Sequence, residues 1–147
     1  MRVTKKMEID YGHRVPNHKS KCYSPHGHRG VIEATIEGDI LRNQGDSEEG
    51  MVVDFSKIKE AMMNTIDREL DHAFIIWEKD KFLLSLEKYN FKLCIVPFIP
   101  TAEELAKYIY YKLYSEVALL PHYGDRWILK KIRFYETPNS WADYESK

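Results

Sequence analysis

Three observations predict an α+β domain. Read along the chain, the elements run strand, strand, helix, helix, strand, helix, strand, with no repeated strand–helix–strand unit. No glycine-rich phosphate loop joins a strand to a helix. Apolar residues at helical spacing alternate with stretches of period two or of short continuous apolar character. At 147 residues the chain is read as a single domain, 1–147, long enough to bury its own core.

Each element has its own justification. Val3, Met7, Ile9 and Tyr11 alternate over residues 2–12 and predict a first strand that stops near Gly12. Ile32, Ala34 and Ile36 predict a second strand over 30–38. Extending that face backwards brings His28 and His26 into line with it. Residues 16–21 form a polar loop that carries the chain to Cys22, and 41–50 form an acidic loop with Gly45 and Gly50. Asp54 offers an N-cap to a helix whose stripe is Phe55, Ile58, Met62, Ile66 and Leu70. A short helical piece is predicted over 81–88 and an apolar strand over 91–98. Thr101 and Glu104 make a capping box for a helix bearing Leu105, Ile109, Leu113, Val117 and Leu120. Residues 127–136 form the last strand, with Ile128, Ile132, Phe134 and then Glu136 on one face.

Composition narrows the function classes. With 44% apolar and 31% charged residues the chain is an ordinary globular sequence. A formal charge of −1 gives no global electrostatic reason to bind nucleic acid or an anionic membrane. The best apolar run, Leu93-Cys94-Ile95-Val96, stops at Pro97, too short for a membrane span. Two cysteines, Cys22 and Cys94, are too few for a secreted disulfide scaffold, and no signal peptide is evident. The expected location is a reduced cytoplasm.

The chemistry concentrates in Cys22-Tyr23-Ser24-Pro25-His26-Gly27-His28. On a strand, His26 and His28 point to the same face, and paired imidazoles suit tetrahedral Zn²⁺. His13, at the end of the first strand, offers a third imidazole, and three His ligands leave an open, catalytic position. Two other readings stand beside this one. The histidines are surface residues, or Cys22 joins them as the fourth ligand of a closed, non-catalytic zinc module. Asp71-His72, just past a helix, pairs a carboxylate with an imidazole whose proton affinity it can tune. Glu136 ends an apolar row, where an ionised carboxylate needs a partner. Arg14, Lys19 and Lys21 place cations around the loop.

In their order along the chain these motifs resemble the 6-pyruvoyltetrahydropterin synthase and 6-carboxytetrahydropterin synthase family. The resemblance covers Gly12-His13-Arg14-Val15-Pro16, Cys22, His26-Gly27-His28, Gly50 to Phe55, Leu70-Asp71-His72, Pro100 to Glu103 and Glu136-Thr137. Two departures flank the cysteine: Pro25 stands where Leu is usual, and the loop before Cys22 is altered.

What the resemblance implies is specific. The fold would be the tunnelling fold, a four-stranded antiparallel sheet with two long helices on one side. Subunits would assemble into a homo-oligomer, commonly a hexamer. His13, His26 and His28 would hold Zn²⁺. Cys22 as thiolate would move substrate protons, with Asp71 and His72 as relay. Glu136 would anchor the pterin ring, and Thr101 would join it in binding substrate. The substrate would be 7,8-dihydroneopterin triphosphate. The expected product is 6-carboxy-5,6,7,8-tetrahydropterin, made with loss of acetaldehyde and triphosphate on the route to queuosine and related deazaguanines. The sister reaction, ending at 6-pyruvoyltetrahydropterin, uses the same motif residues.

Overall fold

The computed structural model describes residues 1–146. β1 (Arg2–His13) and β2 (His26–Gly38) pair antiparallel without interruption, from Arg2 opposite Glu37 to His13 opposite His26. α1 (Phe55–Met62), a π-helical turn (Met63–Asp67) and α2 (Arg68–Leu70) follow as one continuous rod. Next come β3 (Phe74–Trp77), α3 (Leu83–Leu86), β4 (Leu93–Val96) and α4 (Ala102–Val117). β5 (Trp127–Thr137) and β6 (Ser140–Glu145) close the chain as a hairpin.

The α+β class is correct, but the sheet differs from the expected four antiparallel strands. It has six, in the order β4-β3-β1-β2-β5-β6. β1, β2, β5 and β6 are antiparallel neighbours, whereas β3 and β4 add to the β1 edge in parallel. The two parallel strands are four residues long and are reached through helices, as parallel connections require. No described helix is long and apolar enough to cross a membrane.

The core lies where the odd-numbered residues of β1 meet the even-numbered residues of β2. Ile9, Tyr11, Ile32, Ala34 and Ile36 are buried there, under α1 and α4, which also pack on each other. Two local details depart from the periodicities. Phe55, expected on the buried stripe, is 47% exposed at the first turn of α1. The pairing of β2 with β5 slips between Thr35 and Ile36, so Trp127 and Leu129 face inward and Ile128 does not. Beyond that bulge Ile132, Phe134 and Glu136 keep the expected face. A bulge changes which parity of residue points inward.

The π-helical turn has a sequence cause. Ile58, Met62, Ile66 and Leu70 are four residues apart, and all are buried. In an ideal helix of ~3.6 residues per turn each step overshoots by about 40°. Widening one turn restores the phase. Thr65 assists by donating its hydroxyl to the Ala61 carbonyl at 2.7 Å.

Candidate metal centre

β1 and β2 deliver three histidines to one end of the core. His13 lies opposite His26 in the ladder and His28 opposite Tyr11, so all three share the inward face. Their ring centroids form a near-equilateral triangle, with separations of 4.6, 5.2 and 4.9 Å. Glu136, two residues beyond Phe134 on the same face of β5, completes the group. One ligating atom from each of His13, His26, His28 and Glu136 lies within 4.8 Å of all the others. The Cys22 sulfur is not a member, so the closed site with Cys22 as fourth ligand is not what the geometry builds.

Ring orientation shows which nitrogens face inward. His13 Nδ1 lies 2.7 Å from the Pro100 carbonyl, and His26 Nδ1 lies 2.7 Å from the Ser24 carbonyl. A carbonyl only accepts, so each Nδ1 carries the hydrogen and each neutral ring turns an Nε2 lone pair inward. Burial pushes the His28 imidazole down, with His13 and His26 adding to that effect against the attraction of Glu136.

These groups fit a metal ion. Glu136 Oε1 stands 3.1 Å from His13 Nε2 and 3.3 Å from His28 Nε2. Both nitrogens are buried and lack a hydrogen-bond partner. The His13 Nε2 lone pair, with the ring hydrogen on Nδ1, faces a carboxylate oxygen, a repulsion that a cation between them would remove. Ligands ~2.0–2.1 Å from a tetrahedral ion stand roughly 3.3–3.4 Å apart, close to the spacings seen. Glu136, expected to bind substrate and not metal, stands among the ring nitrogens.

Two cavities flank the centre, with Gly27 bordering both. One, of about 590 Å³, is lined by His28, Tyr135, Glu136, Thr137 and Pro138. The other, of about 610 Å³, is lined by His26, His72, Phe74 and Phe91. Both are in the size range of small-molecule sites.

Asp71 and His72 are gripped by the backbone of β1. Asp71 Oδ1 accepts from Asp10 N–H at 2.9 Å, and His72 N–H donates to the Asp10 carbonyl at 2.6 Å. Asp71 Oδ2 lies 2.7 Å from His72 Nδ1, so the carboxylate orients the ring. His72 takes φ of 56°, a left-handed conformation in which His is enriched. Burial raises the Asp71 carboxyl, but the Asp10 N–H, His72 and Lys92 outweigh it and hold the group below its ordinary value. The His72 side chain is 75% exposed.

Cys22 is half-buried on a 3₁₀ turn, Lys21–Tyr23, whose Cys22 carbonyl accepts from Val15 N–H at 2.8 Å. Thr101 caps α4, its hydroxyl accepting from Glu104 N–H at 3.5 Å. Only half of the expected box forms, because Thr101 N–H goes to the Ile99 carbonyl. The hydroxyl keeps its own hydrogen to donate.

Arg14 is not the free cation that its place in the loop suggested. Its guanidinium grips Asp80 through two bonds of 2.8 and 3.0 Å and lies 4.8 Å from the centre of the Tyr23 ring. Nothing in the sequence pointed to Asp80, 66 positions away; its side chain is 1% exposed. Asp80→Asn would leave the guanidinium, 13% exposed, without a counter-charge. The expected cost is about 3 kcal/mol of unfolding free energy. Denaturant unfolding of metal-loaded protein measures it, and a loss under about 1 kcal/mol would reduce the pair to a screened surface contact.

Known proteins resemble this chain along its length. The family model described as 6-pyruvoyl tetrahydropterin synthase matches residues 2–147. A protein of Haemophilus influenzae named 6-carboxy-5,6,7,8-tetrahydropterin synthase is 31% identical over 148 residues, covering 98% of each chain. One of the same name from Aquifex aeolicus is 38% identical over 136 residues, covering 87% of this chain and 78% of its own. In fold, the chain resembles the crystal structure of an uncharacterized protein from Wolinella succinogenes, with a TM-score of 0.81, 24% identity and coverage of 100% and 98%. It also resembles the Caenorhabditis elegans 6-pyruvoyl tetrahydropterin synthase, with a TM-score of 0.69, 23% identity and coverage of 100% and 96%. The match over residues 2–147 spans every element that builds the His13, His26, His28 and Glu136 cluster, and the chain belongs to the 6-pyruvoyl tetrahydropterin synthase family.

Proposed function

We propose that the protein is a zinc-dependent carbon–carbon lyase. It would convert 7,8-dihydroneopterin triphosphate and water into 6-carboxy-5,6,7,8-tetrahydropterin, acetaldehyde and triphosphate. The observation that carries this reading is the convergence of three imidazoles on one point, with Cys22 left outside the ligand set. Imidazole donors suit Zn²⁺. The names borne by the Haemophilus and Aquifex relatives support the carboxy-forming branch.

Each residue then has a task. His13, His26 and His28 would hold the ion, and zinc would supply Lewis acidity toward the substrate's side-chain oxygens. Cys22, as thiolate, would take a proton from a side-chain carbon. Asp71 orients His72, and this pair would pass protons to and from the site. Glu136, not itself one of the three ligands, would accept the paired N–H groups of the pterin ring with both oxygens once the ion takes the place of its Oε1 among the ring nitrogens. Thr101, whose hydroxyl hydrogen is uncommitted to the helix, would donate to substrate. The edge strands β4 and β6 leave backbone groups for pairing with further copies of the chain, in keeping with a homo-oligomer.

The product decides the function. Zinc-loaded protein incubated with 7,8-dihydroneopterin triphosphate is expected to yield 6-carboxytetrahydropterin by mass spectrometry with an equal amount of acetaldehyde. Triphosphate release without acetaldehyde would assign the 6-pyruvoyl reaction, and an unconsumed substrate would remove the lyase reading.

Glu136→Gln replaces one acceptor oxygen with a donor that meets a ring N–H. Pterin affinity measured by titration is expected to fall roughly 30- to 1,000-fold, the equivalent of ~2–4 kcal/mol. Unchanged affinity would place the ring's anchor elsewhere.

A further inference from the structure

Tyr11 holds a polar group that the fold leaves unused. The residue is 4% exposed, and its hydroxyl is buried without a hydrogen-bond partner. Its ring lies beside the metal centre, with centroids 5.2 Å from His13, 5.7 Å from His28 and 5.6 Å from Phe134. Glycine at position 30 makes this placement possible. A Cβ there would come within 3.1 Å of Tyr11 Cε1 and 2.9 Å of Phe134 Cε2. A phenylalanine would fill the same space without stranding a hydroxyl, and an unmet buried donor is costly. A phenol O–H can donate as well as accept, so the group is a donor without an acceptor.

We propose that Tyr11 is a further substrate-binding residue, whose hydroxyl donates a hydrogen bond to a side-chain oxygen of the molecule held at the His13, His26 and His28 centre. The proposal rests on the pterin reading for the identity of that molecule. It adds a neutral donor, on a ring packed against two of the ligand histidines, for an oxygen that gains negative charge as a neighbouring carbon loses its proton. Fixed donors of this kind are effective because they need no reorganisation during the reaction. The same bond would distinguish ligands that carry side-chain oxygens from those that lack them.

Tyr11→Phe tests this with readouts other than turnover. Removing an unpaired hydroxyl should leave the melting temperature of the ligand-free, zinc-loaded protein unchanged or raise it, and zinc content should stay the same. Affinity for neopterin, which bears side-chain hydroxyls, should fall about tenfold in calorimetric titration. Affinity for 6-methylpterin, which lacks them, should not change. Equal neopterin affinities in the two proteins would overturn the proposal, as would equal losses for both pterins. A lowered melting temperature with neopterin affinity intact would also overturn it, making the hydroxyl structural. If wild-type protein binds neither pterin, the pterin reading has failed, and acetohydroxamate binding to the Co²⁺-loaded protein decides on Tyr11 separately. Weaker binding in Tyr11→Phe supports the donor, and equal binding overturns it.

Discussion

His13→Ala is expected to empty the metal centre and abolish turnover. Of the three histidines it is the deepest, 1% exposed, and its Nδ1 is fixed by the Pro100 carbonyl just ahead of α4. Alanine removes one of three imidazole donors. It also strands the Pro100 carbonyl and leaves only His26 and His28 as imidazole donors. Holding a ligand ring in place through its other nitrogen is itself worth roughly 10–100-fold in metal affinity, so losing ring and anchor together should cost more. Metal analysis should fall from near-stoichiometric to trace, with turnover down at least about a thousandfold. Thermal stability should drop too. An ion present at about 1,000 times its Kd stabilises the fold by ~4 kcal/mol, and the variant forfeits that linkage. His18→Ala is the control, since the His18 side chain bonds Ser20 within its own exposed loop. Stoichiometric zinc retained in His13→Ala would dismantle the three-histidine assignment.

The features that could be read from the sequence are those set by short-range periodicity. Alternation over residues 30–38, extended backwards, put His26 and His28 on the inward face, His13 stood at the end of the first strand, and the ladder then aligned His13 with His26. The stripe of α4 and its Thr101 cap were equally visible. What escaped depends on partners far away in sequence. β3 is four residues long and lies between β1 and β4, so it shows no two-sided alternation. β6 is an edge strand with exposed residues at Ser140, Trp141, Asp143 and Glu145, and its hairpin pairing with β5 is what makes it a strand. The bulge in the β2–β5 ladder exchanged Ile128 for Trp127 and Leu129 without a glycine or proline to announce it.

In the candidate site the same division holds. His26 and His28 were legible because they lie two apart on a strand, and His13 because it follows the alternating run of β1. Glu136 was legible as an inward acid, but its distance from the histidines depends on β5 lying beside β2. The four-residue spacing of Ile58, Met62, Ile66 and Leu70 did carry the π-helical turn, had the excess over 3.6 been followed step by step. Tyr11 read as one more apolar member of β1, because nothing in a sequence distinguishes a satisfied phenol from an orphaned one.

Cys22→Ala is expected to keep zinc, fold and pterin affinity while lowering turnover by roughly two to four orders of magnitude, the usual worth of a positioned base. The fold should survive because backbone bonds hold the turn: Val15 N–H to the Cys22 carbonyl, and Tyr23 N–H to the Ser20 carbonyl at 3.0 Å. Tyr23 is further held beneath Arg14, and the Cys22 sulfur contributes to none of these contacts. Zinc should stay because the ligating group is complete without sulfur. Chemical modification gives an independent check. Cys94 is buried, and burial with the charge of Glu69 pushes its thiol up to about 11, so it should resist alkylation near neutral pH. Limited iodoacetamide treatment should therefore label Cys22 first, and turnover should fall in proportion to the label found on the Cys22 peptide. Cys22→Ser should recover little, because a hydroxyl is a far poorer base at the same position than a thiolate. Near-normal turnover in Cys22→Ala would end the role of Cys22 as base. Loss of zinc in the same variant would instead make it a ligand, contrary to the geometry of the three histidines and Glu136.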